Sequence, residues 1–249
     1  MRPAWRVDGG AAVASWDSLL DLVFPRGCDA CGARDPDEGG HLCWNCQAEV
    51  PFVRPPFCSL CGDPVSGRVD HEYVCALCSD RRVHFDEARS VARYEGPVAL
   101  AIRALKYHAH LWIARDLAAW LEAAVRTHYD PVEFDGVTFV PLHPLKKRER
   151  GFNQAEVLAA DLARRLRTPL VRRAVRRVRL TPTQTRLTVP QRAANVHDAF
   201  EPRGPRVLNG RRILLVDDVM TTGATVNECS RALKAGGAAV VRVVTVARG

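Results

Sequence analysis

Apolar positions fall into two regimes along the chain. Between Cys28 and Cys78 they are sparse, interrupted by proline and glycine, and without a helical period. Beyond a linker at 81–86 they come in blocks that switch between strand and helix periods. Residues 90–94 predict an edge strand, and 98–107 and 111–127 predict helices that dock beside the following sheet. Residues 136–141 form a short β run, 154–166 a helix, and 170–178 a further strand. The continuous apolar run at 211–217 predicts a strand buried on both faces, followed by a helix at 225–235 and a valine-rich strand at 239–247. Strands alternating with helices predict a parallel, doubly wound α/β sheet. Ahead of the sparse region, residues 16–24 space their apolar positions like a short amphipathic helix, which Pro25 and Gly27 end.

A length of 249 residues exceeds one typical domain and predicts two compact units. No stretch approaches the roughly 18 uninterrupted apolar residues of a membrane helix, and the apolar start at 11–24 is interrupted by Asp17 and Asp21. With no targeting segment visible, the expected setting is the cytoplasm, without membrane insertion. The net charge of +8 is unevenly spread: residues 1–80 hold 6 Lys/Arg against 12 Asp/Glu, and the remainder 30 against 16. A polyanion would therefore be drawn to the second part.

Eight of nine cysteines form four C-x-x-C pairs, Cys28/Cys31, Cys43/Cys46, Cys58/Cys61 and Cys75/Cys78. Each such turn aims two thiolates at one point, and two turns complete a tetrahedral S₄ site with no open position, which predicts two structural Zn²⁺ ions. Disulfides or redox thiols are the alternative, disfavoured by a reducing compartment. Successive and interleaved ligand pairings both satisfy the spacing. His41 and His71 lie among the cysteines as surface residues, and Cys229 belongs to the core of the last helix.

The stretch 212–225 carries the most chemistry. Asp217 and Asp218 end its buried strand, where ligands of open α/β sheets bind, and Thr221, Thr222, Gly223, Ala224 and Thr225 offer hydroxyls and backbone N–H groups at a helix N-terminus. That loop suits a phosphate. The carboxylates suit ribose hydroxyls, or a Mg²⁺ joining them to a pyrophosphate. A generic strand-to-helix turn, as in a phosphoacceptor domain, would leave the Thr-Thr-Gly-Ala-Thr run without a role. Upstream, Lys146, Lys147, Arg148 and Arg150 concentrate in a loop that can neutralise a leaving pyrophosphate, with a solvated basic loop as the plainer alternative. Residues 180–200 have the composition of a mobile lid or of an ordinary surface loop. Between Asp161 and Asp198 no acidic residue occurs, while Arg164, Arg165, Arg167, Arg172, Arg173, Arg176, Arg177, Arg179, Arg186 and Arg192 form a band suited to tracking a phosphate backbone or to facing solvent.

The 216–225 run resembles the phosphoribosyl-pyrophosphate signature of type I phosphoribosyltransferases. Together with the paired C-x-x-C ribbons, Leu105-Lys-Tyr107, the 141–154 segment, and Thr183-Gln184 through Arg192 to Asn195, it resembles the ComF family of competence proteins along nearly the whole chain. Departures are His108-Ala-His110 after Tyr107 and the basic spacing at 146–148. The resemblance implies an N-terminal helix (1–25), a double zinc ribbon (26–82) and a phosphoribosyltransferase-like α/β domain (83–249). It implies that Asp217 and Asp218 contact the ribose 2′ and 3′ hydroxyls, that Thr221 to Thr225 hold the 5′-phosphate of phosphoribosyl pyrophosphate with Mg²⁺, and that Lys106, Arg148 and Arg150 belong to the same site. The implied role is natural competence, handling incoming single-stranded DNA with competence helicase and DNA-processing partners. The alternatives are a phosphoribosyltransferase of nucleotide or amine metabolism with no DNA role, a phosphoribosyl sensor or scaffold, and a zinc-ribbon adaptor with a vestigial core. Neither the acceptor nor the oligomeric state follows from the sequence.

Overall fold

The computed structural model describes residues 27–33, 40–65, 67, 69, 71–180, 194–204 and 206–249. The helix expected at 16–24 lies outside them, as do Thr183, Gln184, Arg186 and Arg192. The described strands are β1 (Glu87–Arg93), β2 (Gly136–Phe139), β3 (Val175–Arg177), β4 (Phe200–Pro202), β5 (Arg212–Met220) and β6 (Val240–Arg248). The helices are α1 (Trp44–Ala48), α2 (Ala76–Ser79), α3 (Gly96–Tyr107), α4 (Ala114–His128), α5 (Pro144–Arg150), α6 (Gln154–Leu166) and α7 (Ala224–Ala235).

Four strands form one parallel sheet in the order β1-β6-β5-β2. Its centre is β5, whose Ile213, Leu214, Leu215 and Val216 are fully buried, as a strand covered by helices on both faces requires. The two edges are blunted by short pairings. The segment around Phe52 pairs antiparallel with β1 at Ala92, and Leu170 bridges to Val137 of β2. That bridge is all the main sheet takes from the strand expected at 170–178. Arginines at 172, 173, 176 and 177 cannot line a sheet buried on both faces, so β3 instead pairs antiparallel with β4 in a separate two-stranded ribbon.

The basic stretch expected as a loop is also different. Residues Pro144–Arg150 form a helix, with proline in its first turn, His143 Nδ1 accepting from the Leu145 N–H at 3.3 Å, and Gly151 closing it at φ +82°.

Both cysteine-rich segments pack into the cores of the α/β unit. Cys28, Cys43 and Cys46 share a cluster with buried residues of α3, α4 and α6, while Cys58, Cys61, Cys75 and Cys78 share one with Phe85, Leu215, Met220 and Cys229. The first segment is tied to α4 by the His41 N–H donating to Asp116 Oδ2 at 2.7 Å. The second is laid along β1 by Ala88 N–H to Leu60 O (2.7 Å) and Arg89 Nη1 to Ser59 O (3.0 Å). Gly62 makes that approach possible: it sits at φ +67°, and a Cβ there would stand 2.7 Å from Ala88 O. Among the described residues no helix is long and apolar enough to cross a membrane.

Candidate functional site

The eight paired cysteines gather into two groups, Cys28, Cys31, Cys43 and Cys46, and Cys58, Cys61, Cys75 and Cys78, with the four sulfurs of each within 4.8 Å of one another. The pairing is successive, not interleaved. Cys31 and Cys43 sulfurs lie 3.7 Å apart and Cys61 and Cys75 sulfurs 3.6 Å apart, close to the edge of about 3.8 Å that a tetrahedron with Zn–S bonds of about 2.3 Å requires and far from a disulfide bond. Both groups therefore fit structural zinc.

The local geometry repeats between them. The Cys43 N–H donates to Cys28 Sγ and the Cys75 N–H to Cys58 Sγ, each at 3.3 Å, and Gly32 and Gly62 take the left-handed conformation just after the second cysteine. Burial opposes ionisation of Cys28 and Cys58, but the surrounding N–H donors outweigh it and bring both thiols down to about 7. Burial instead pushes Cys78 up to about 12. Arg248, at the end of β6, reaches into the second group, with Nη2 3.8 Å from Cys61 Sγ and Nε 2.8 Å from Asp63 Oδ1. His41 is half-buried beside Trp112, His71 is exposed, and Cys229 is fully buried in α7.

The acidic pair lies near the carboxyl end of β5. Asp217 and Asp218 are both buried, and the Asp218 N–H donates to Asp217 Oδ1 at 2.9 Å. Lys106, in the last turn of α3, is ion-paired with Asp218 Oδ2. Burial, followed by the neighbouring Asp218 charge, holds Asp217 well above the ordinary carboxylate range, with Lys106 pulling the other way. Burial works against the charge of Lys106, yet Asp218 and Asp217 together keep it above the ordinary lysine value.

After Met220 the chain turns through Thr221, Thr222 and Gly223 into α7. Gly223 is its N-cap at φ +74°, and a Cβ there would meet Met220 Cε at 2.7 Å and Arg81 Nη2 at 3.1 Å. Thr222 Oγ1 accepts from the Ala224 N–H at 3.4 Å, while the first helical bond runs from Asn227 N–H to Gly223 O. The amides of the opening turn precede any helical acceptor, which suits an anion.

Cations frame this end of the sheet. On α5, Lys146 and Arg150 occupy positions i and i+4. Burial, then Arg177 and Arg150, lower the Lys146 ammonium below the usual lysine range, so these three positive groups crowd one another. Arg150 donates to Gln154 Oε1 at 2.7 Å and lies over the Tyr107 ring. Arg148 and Lys147 line a separate cavity of about 530 Å³ with Arg172 and Arg203, so the structure groups Lys106 with Asp218 but sets Arg148 in a neighbouring cavity.

Arg177 was expected in an outward-facing arginine band, tracking a phosphate backbone or facing solvent, yet its guanidinium packs over Phe200 and interacts with Asp217 and Cys229. Alternation along β3, with Val175 buried and Arg176 exposed, is the sequence signal that would have turned it inward. Several other arginines of that band are tied to carboxylates: Arg164 and Arg165 to Asp161, Arg172 to Glu156, and Arg176 to Glu201.

Two family models match the chain: a double zinc ribbon domain over residues 19–81 and a phosphoribosyl transferase domain over residues 153–249. Among curated relatives, competence protein F of Haemophilus influenzae is 33% identical over 212 residues, covering 83% of this chain and 90% of the relative. DNA utilization protein YhgH of Escherichia coli K12 is 32% identical, covering 83% of this chain and 96% of the relative. Competence protein ComFC of Bacillus subtilis is 28% identical, covering 86% and 85%. With four-cysteine groups ahead of a parallel sheet whose β5 carries an acidic pair and runs into a Thr-Thr-Gly-Ala-Thr turn, and with this identity along most of its length, the chain belongs to the ComF family.

Proposed function

We propose that the chain binds phosphoribosyl pyrophosphate with Mg²⁺ at the end of β5 and acts in natural competence, in the handling of incoming single-stranded DNA. The observation that carries the ligand is the continuity of two recognition elements on one strand-loop-helix: the buried Asp217–Asp218 pair and the phosphate-type loop from Thr221 to Thr225. The carboxylates accept hydrogen bonds from the ribose hydroxyls, the loop amides hold the 5′-phosphate, and Lys146, Arg150 and Arg177 supply positive charge where the pyrophosphate lies. Mg²⁺ bound with the ligand neutralises the pyrophosphate oxygens.

Where the site turns over, an amine or base nitrogen attacks the ribose anomeric carbon, a C–N bond forms, the C–O bond to pyrophosphate breaks, and pyrophosphate leaves with the electron pair. The cationic frame stabilises that leaving charge. The DNA role is supported by the relatives named for competence and DNA utilization, and by the positive balance of residues 81–249. Contact with a polyanion through this part makes binding salt-dependent, with a log–log slope of about −0.7 per phosphate neutralised on a single strand.

Equilibrium binding of phosphoribosyl pyrophosphate with Mg²⁺, followed by pyrophosphate detection across a panel of amine and base acceptors, tests the site. Binding without release supports a sensor or scaffold, release with one acceptor supports an enzyme, and no binding removes the proposal.

A further inference from the structure

Arg81 stands three residues past Cys78, the last cysteine of the second group, and its backbone is fixed from both sides. Before it, the Asp80 N–H closes α2 onto Ala76 O at 2.9 Å. After it, Asn227 in the first turn of α7 donates from Nδ2 to Arg82 O at 3.1 Å and accepts the His84 N–H on Oδ1 at 2.7 Å. The side chain held between these anchors reaches the loop after β5, where Arg81 Nη2 is 3.1 Å from the position a Cβ on Gly223 would take.

The guanidinium makes no ion pair or hydrogen bond among the described residues, and its Nε is shielded from solvent with no protein acceptor. Arg89 and Arg248 also keep one shielded N–H without a protein acceptor, but their guanidiniums are otherwise held, Arg89 by Glu87 and two carbonyls and Arg248 by Asp63. Half-buried Arg81 has no such partner among the described residues. A shielded donor left without an acceptor is unfavourable. Here it belongs to a cation lying against an anion-type loop, and a guanidinium presents a planar fork that matches phosphate oxygens.

We infer that Arg81 is a binding residue for the 5′-phosphate of the phosphoribosyl ligand, so that the zinc-ribbon segment completes the pocket of the α/β unit. The inference rests on the assignment of the Thr221 to Thr225 loop to that phosphate. It gives the cysteine-rich segment a task at the ligand. The second cysteine group fixes the chain from which Arg81 projects, so loss of zinc from that group weakens ligand binding even where the sheet stays folded.

The test uses the full-length, zinc-loaded protein and three calorimetric probes: phosphoribosyl pyrophosphate with Mg²⁺, ribose 5-phosphate, and pyrophosphate with Mg²⁺. Arg81→Met keeps the volume beside Met220 and removes the charge. Arg81→Lys keeps the charge without the fork. Arg81→Met should lose about ten- to a hundredfold in affinity for both phosphoribosyl probes, leave pyrophosphate binding unchanged, and retain the wild-type zinc content. Arg81→Lys should fall between the two and decides the matter if Arg81→Met loses zinc. Unchanged ribose 5-phosphate affinity in the variants, or an equal loss for all three probes, overturns the inference while leaving the site assignment standing. Absence of phosphoribosyl pyrophosphate binding by the wild type overturns both.

Discussion

Lys106, in the last turn of α3, is ion-paired with Asp218 on β5, 112 positions further along the chain. The side chains are 18% and 6% exposed, so neither charge is well solvated without the other. Lys106→Met leaves a buried carboxylate beside Asp217, and breaking a buried pair from one side costs about 3–5 kcal/mol. Denaturant unfolding of Lys106→Met should show a loss of that order at neutral pH, and the double variant Lys106→Met/Asp218→Asn should recover most of it. A double variant as unstable as the single one would contradict the pairing.

Asp217 gives the fold a pH dependence of defined sign. Burial and the Asp218 charge raise its folded pKa above the unfolded value of about 4, so the folded state holds its proton more tightly. The associated stability is fully present below pH about 4 and is lost as pH rises through the raised folded value. Asp217→Asn keeps an oxygen to accept the Asp218 N–H and removes the charge. Its melting midpoint should match the wild type near pH 4 and exceed it increasingly toward pH 8, by about 2–4 °C for each kcal/mol recovered. A difference that shrinks with rising pH would refute the assignment.

The two ribbon glycines should respond unequally to alanine. Gly32 and Gly62 both hold a positive φ, which costs an L-residue about 1–2 kcal/mol, but a Cβ at Gly32 meets nothing within 4 Å while one at Gly62 stands 2.7 Å from Ala88 O of β1. Thermal melting of Gly62→Ala should fall well below that of Gly32→Ala. Metal analysis of the wild type and of Gly32→Ala should give two zinc ions per chain. Equal destabilisation by the two substitutions would mean that the second ribbon does not rest on β1.

Much of this was legible in the sequence where a local pattern determines the outcome. The apolar run at 213–216 required a doubly covered strand, the acidic pair and threonine-glycine turn after it marked the passage from that strand into a helix, and the C-x-x-C turns required four-cysteine groups. What escaped depended on distance or on charge. Helix α5 has no apolar stripe in Pro-Leu-Lys-Lys-Arg-Glu-Arg, so its period is invisible and only Pro144 and Gly151 mark it. Arg177 turns inward on the same face of β3 as buried Val175, an alternation that takes effect only because this short segment pairs with β4, far along the chain. The segment at 170–178 was expected as one further strand, but its arginines leave only the Leu170 bridge on the main sheet and a three-residue strand paired with β4. The successive pairing of the cysteines needed three dimensions, because the spacing alone permits both arrangements.

The most direct measurement is calorimetric titration of the folded, zinc-loaded protein with phosphoribosyl pyrophosphate and Mg²⁺, alongside Asp217→Ala and Asp218→Ala. Under the proposed assignment each carboxylate accepts a hydrogen bond from a ribose hydroxyl, and a hydrogen bond to a charged group contributes about 1.5–3 kcal/mol. The account predicts saturable wild-type binding and a loss of about ten- to a hundredfold in each variant, with the sheet still folded by circular dichroism. Wild-type protein that fails to bind, or variants that bind as tightly as the wild type, would contradict it.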